Sequence, residues 1–81
     1  MFSEKDAVIS TAGRDRSELL AVVRIDAEGL YVCNGKDRPL RRPKRKNPKH
    51  LIPAGAAIPE TALRSDRALR KALAILKANI G

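Results

Sequence analysis

The sequence predicts a small, mainly β domain in which five short antiparallel strands curl into a barrel capped by a C-terminal helix. Three observations carry that expectation. Short aliphatic and β-branched runs recur between positions 7 and 52, broken by glycine, asparagine and charged residues. After Pro53–Pro59 the period changes, and Leu69, Leu73, Leu76 and Ile80 recur at helical spacing. At 81 residues and 43% apolar content, the chain has material for one small core.

In chain order, Met1–Lys5 reads as a frayed start and Ala7-Val8-Ile9-Ser10 as the first strand. Thr11–Arg16 breaks it with a glycine and alternating charges, the composition of a tight loop. Ser17–Asp26 is the strongest strand signal. Arg24 and Asp26 mark its wet face, which places Leu19, Ala21, Val23 and Ile25 inward and leaves Leu20 and Val22 for the helix to cover. Asp26–Gly29 is a turn and Leu30–Cys33 a third strand. Asn34-Gly35 then predicts a hairpin, since both residue types accept positive φ. The returning strand would be Lys36–Arg41, an edge because Pro39 has no N–H to donate. Pro43–Asn47 would cross over and Lys49–Ile52 form the fifth strand. This divides the chain into a barrel (1–52), a small-residue linker (53–60) and a helical segment (61–81) that packs on the barrel. Ser65 is its expected N-cap, with Asp66 in the first turn and Lys77, Asn79 and Gly81 toward its end.

Charge is the most informative feature for function. Arg38–Lys49 holds Arg38, Arg41, Arg42, Lys44, Arg45, Lys46 and Lys49, seven cations among twelve residues without an acid, in a chain of net charge +8. Such a run repels itself, and a bound polyanion relieves the repulsion while releasing its own counterions. Pro39, Pro43 and Pro48 stiffen the run and keep it out of a helix. Nucleic acid is the expected partner. A second candidate is Gly13-Arg14-Asp15-Arg16, where a glycine permits close approach to a phosphate and two arginines offer forked donors. The same four residues also suit an ordinary charged turn in which Asp15 pairs with an arginine. Phe2 and Tyr31 are the only aromatic residues, which argues against a module that stacks several bases on rings.

Catalysis is not expected. Cys33 and His50 stand alone, no acids are paired, and no phosphate-loop, zinc or nucleophile signature occurs. Both residues read as structural, and no metal or cofactor is expected. Neither a signal-peptide core nor a membrane-length apolar run is present, so a cytoplasmic protein without membrane association is expected.

Val8–Asp15, VISTAGRD, followed by the Leu19–Ile25 strand, resembles the KOW motif, a strand–loop–strand unit whose loop glycine is matched here by Gly13. The stretch NGKDRPLRRPKRKNPKHL is similar to small bacterial KOW-domain RNA-binding proteins, and to a KOW-type large-subunit ribosomal protein of archaea and eukaryotes. In that ribosomal protein a basic run also leads into an Asn-x-x-His-Leu sequence, here Asn47, His50 and Leu51. The resemblance spans Lys5–Ile52, with two departures: Lys5 and Ser17 stand where such proteins often carry glycine. It implies an SH3-like barrel and RNA binding, with rRNA as target and ribosomal proteins as possible neighbours. Gly13, Arg14 and Arg16 of the loop, with Lys36 and the Arg38–Lys49 cations, would form one phosphate-gripping surface. Two other readings stand beside it: a KOW-type protein-docking module in transcription or translation, and a basic DNA-binding protein. The basic cluster would also suit a nuclear import signal in a nucleated source.

Overall fold

Residues 2–80 are described by a computed structural model, the side chain of Ile80 excepted; expectations placed on Met1, the Ile80 side chain and Gly81 lie outside it. Five antiparallel strands form one sheet in the order β4-β3-β2-β1-β5. They are β1 (Asp6–Ser10), β2 (Leu19–Asp26), β3 (Gly29–Cys33), β4 (Lys44–Lys46) and β5 (Leu51–Ala57). A 3-10 turn, Glu60–Arg64, leads into α1, Asp66–Ile80. Ser65 caps α1 as expected, its Oγ accepting from Ala68 N at 3.1 Å.

The sheet is not a closed barrel. β4 and β5 remain its two edges, because β4 is only three residues long and the chain leaves it through a 3-10 turn, Pro48–His50. That turn bridges the gap without a ladder: Asn47 Oδ1 accepts from Lys49 N, and Thr11 N donates to the His50 carbonyl at 2.8 Å.

Both faces of the sheet are apolar. Val8, Leu20, Val22, Leu30, Val32 and Leu51 form a buried cluster on one face, with Phe2 packed against them. The other face presents Ala7, Ala21 and Cys33, which are in register across three strands. This row of small side chains lets the helical segment approach closely, and Ile58, Ala62, Leu69 and Leu73 cover it. Of the helical stripe, Leu69 is fully enclosed against the strands, Leu73 nearly so and Leu76 partly.

The inward and outward residues of β2 are the reverse of the expectation. Leu20 and Val22 enter the cluster on the face away from the helix, while Leu19, Ala21 and Val23 face the helix and Ile25 is exposed. The cause is a bulge: Val22 opposes Val32 but Arg24 opposes Tyr31, so Val23 is an extra residue and the two-residue alternation changes phase there. Arg24 and Asp26 mark the wet face only beyond the bulge.

The return from β3 also differs. Asn34-Gly35 does not make a two-residue hairpin, and Lys36–Arg41 is not a strand; residues 34–43 form one loop, and Lys44–Lys46, read as a crossing segment, is the edge strand. Asn34 organises the loop: its Oδ1 accepts from Lys36 N and Arg38 N, and its Nδ2 donates to Asp37. The fifth strand begins at Leu51 rather than Lys49, and most of the linker read over 53–60 is its continuation. Lys5 is tied down rather than frayed, its N donating to the Val22 carbonyl and its own carbonyl accepting from Ile58 N.

Candidate functional site

Two basic segments distant in sequence meet at one end of the sheet, and a buried ion pair joins them. Lys46 Nζ lies 2.6 Å from Asp15 Oδ1 and donates to the Ala12 carbonyl at 3.0 Å; the two side chains are 7% and 2% exposed. Ser10 Oγ donates to the same Asp15 oxygen at 2.8 Å. Alternation along β4 explains the arrangement: Arg45 faces solvent, so Lys46 turns inward and its aliphatic stem carries the ammonium to the loop. Asp15 thus pairs with Lys46, not with an arginine. Burial alone would raise the Asp15 carboxyl, but hydrogen bonds from Lys46 and Ser10, with the positive charges of Lys46 and Lys44, hold it below the usual carboxylate value.

The β1–β2 loop is wound tightly around this pair. Arg16 N donates to the Gly13 carbonyl, Glu18 N to that of Asp15, and Ser17 N to that of Ser10. Gly13 has φ 85°, a left-handed conformation in which a side chain is strained. Lys5 and Ser17 also take left-handed backbone, with φ 73° and 71°.

Of the residues expected to grip phosphate, Gly13, Arg14, Arg16, Lys36, Arg41, Arg42, Arg45 and Lys49 are exposed. Arg38 and Lys44 are half-buried. Lys46 must be removed from that group, since it is spent on Asp15 inside the fold. The ion pair places Arg14 and Arg16, which flank Asp15, next to the strand carrying Lys44 and Arg45, which precede Lys46. The Arg45 stem lies over the Gly29 backbone, within about van der Waals contact of where a Cβ would sit. Arg38, Arg42 and Lys44 line a recess of about 400 Å³ with Asp37, and Arg38 Nε is buried there without a hydrogen-bond partner.

The helix holds the second basic segment. Asp66 Oδ1 accepts from Leu40 N at 2.7 Å, and Arg70 Nη1 donates to the Gly35 carbonyl at 2.6 Å. The sequence marks Asp66 only as a first-turn acid and gives Arg70 no local role, so neither contact, 26 and 35 positions away, is visible in it. Cys33 is fully buried, its Sγ 3.3 Å from the Pro39 carbonyl, and burial followed by the nearby Asp66 charge pushes its thiol up to about 11. His50 is exposed. Of the two aromatic rings, Phe2 packs on the core and lines an apolar recess with Ile25, Leu30 and Pro48, and Arg24 lies 4.1 Å over the centroid of Tyr31. No helix among the described residues is long and apolar enough to cross a membrane. Set against family models and curated proteins, the chain finds no match in either.

Proposed function

We propose that this protein binds structured RNA, with rRNA as the target class, and serves the translation apparatus as a non-enzymatic cytoplasmic protein. The observation that carries the reading is the Asp15–Lys46 pair. It ties the Gly13–Arg16 loop to the basic edge strand, which supports a reading in which the backbones carrying Arg14, Arg16, Lys44 and Arg45 act together rather than as two independent basic segments. A fixed backbone beneath exposed cations favours a polyanion of regular geometry, because little loop entropy remains to be lost on binding. With only two aromatic residues, contacts fall on phosphates and on the shape of the backbone more than on stacked bases.

The resemblance to KOW proteins directs the choice toward RNA. Supporting it, the loop glycine has positive φ, and so do Lys5 and Ser17, the two positions where such proteins often have glycine. The departures in residue type therefore leave the backbone in the conformation glycine would take. An SH3-like barrel is the fold that resemblance implies, and a five-stranded antiparallel sheet is compatible with it.

A competition assay tests the proposal. A labelled RNA hairpin bound to the protein should be displaced by unlabelled structured RNA at lower concentration than by duplex DNA of equal length. Arg14→Ala should weaken the structured RNA more than an unstructured one. Preference for DNA would assign the surface to a DNA-binding protein, and failure to bind either would favour a protein-docking module.

A further inference from the structure

Apart from the rim described above, a second basic groove of about 480 Å³ runs between the β1–β2 loop and one side of α1. Arg16 and Lys36 come to it from the two loops, and Arg70 and Lys77 from the helix. Leu73 lies among them, and Glu18 is the lone carboxylate of the lining. The spacing is helical: Arg70, Leu73 and Lys77 fall at i, i+3 and i+7, so one side of α1 presents two cations around an apolar floor. Four cations against one carboxylate have no intramolecular need of each other, and none of the four pairs with an acid side chain among the described residues. Arg70 is moreover pre-oriented. One of its donors is fixed on the Gly35 carbonyl, yet the residue remains exposed.

We infer that this groove is a second phosphate track, through which α1 joins the RNA-binding surface and extends it from the β1–β2 loop along the helix. The inference rests on the RNA-binding reading and adds to it a helix that binds as well as packs. Arg16 is shared by loop and groove, so a strand or duplex edge laid across the loop continues past Lys36 to Arg70 and Lys77. The apolar floor suits the sugar face of a backbone, and the cations on either side suit its phosphates.

The test compares charge reversals at two exposed lysines of the same helix. Lys77 lines the groove and Lys71 does not, so Lys77→Glu and Lys71→Glu change the net charge equally but only one changes the groove. With a fluorescent RNA hairpin as probe and folding checked by circular dichroism, Lys77→Glu should weaken binding by about tenfold. It should also make the log–log salt dependence shallower by about one phosphate contact. Lys71→Glu should weaken it no more than about twofold, as a screened distant charge does. Lys77→Gln should fall between, and Glu18→Gln should tighten binding. Equal losses from Lys77→Glu and Lys71→Glu, with Glu18→Gln neutral, overturn the inference while leaving RNA binding by the rim intact. A wild-type protein that does not bind the hairpin overturns the inference and the RNA-binding reading together. Preferential capture of polyglutamate, lost in Lys77→Glu, assigns the groove to an acidic protein segment and also overturns it.

Discussion

The two basic loops are held rigid in opposite ways. The β1–β2 loop is fixed from within, by a carboxylate and an ammonium that meet under it and by its own turn hydrogen bonds. The longer loop between β3 and β4 is fixed from outside, by Asp66 and Arg70 of a helix that lies beyond it in sequence. The difference teaches where each segment's geometry is encoded. One is local to a strand–loop–strand unit and its edge partner; the other depends on the C-terminal helix being docked.

The largest expected effect comes from breaking the inner lock. Lys46→Met leaves Asp15 buried without its counter-charge and should cost about 3–5 kcal/mol in urea unfolding. The double variant Asp15→Asn/Lys46→Met should recover most of that loss, because no isolated charge remains. A single variant as stable as wild type would show that the pair is not the lock. The pair also fixes a pH dependence. The folded Asp15 value lies below the ordinary 3.8, so its contribution is complete above about pH 4–5 and is lost as pH falls through the folded value. Unfolding followed from pH 7 to pH 2 should show this acid-side loss in the wild type, and a smaller one in the double variant.

The outer lock is broken next. Leu73 is nearly buried against the sheet, so Leu73→Ala should cost about 2–5 kcal/mol. Gly35 has φ 78°, and a Cβ there would collide with the Asp66 carbonyl oxygen. Gly35→Ala should therefore cost about 2–4 kcal/mol. Hydrogen exchange sharpens the contrast: these variants should loosen amides of 34–43 before those of 11–18. Simultaneous loosening of both loops would mean that the two are one cooperative unit.

How much of this was legible in the sequence varies with the range of the interaction involved. The first three strands, the helix and the Ser65 cap are local signals, and they appear where the residue pattern placed them. The phase of β2 was misread because the bulge at Val23 leaves no mark in the residue types on either side. The edge strand was misplaced because Lys-Arg-Lys carries no apolar pattern, and because Asn34-Gly35 is equally suited to a hairpin and to the turn that opens a longer loop. For the site, the basic run showed which residues matter as charges, but not that Lys46 turns inward. That depends on strand alternation in β4 and on an acid 31 positions earlier. A lone Asp between two arginines was the available hint.

The smallest expected change is a gain. Ser17 holds φ 71° without a side-chain hydrogen bond, and Ser17→Gly should stabilise the protein by about 0.5–1 kcal/mol through relief of left-handed strain. Thermal unfolding checks it, and a loss of stability would show that the serine side chain makes a contribution the loop geometry does not reveal.

The central claim, that cations fixed by these two locks grip the phosphates of RNA, is tested most directly by the salt dependence of hairpin binding to the wild-type protein. With four to six phosphates neutralised, the logarithm of the affinity should fall against the logarithm of salt concentration with a slope of about −3 to −5. An affinity that hardly changes between low and high salt would contradict it.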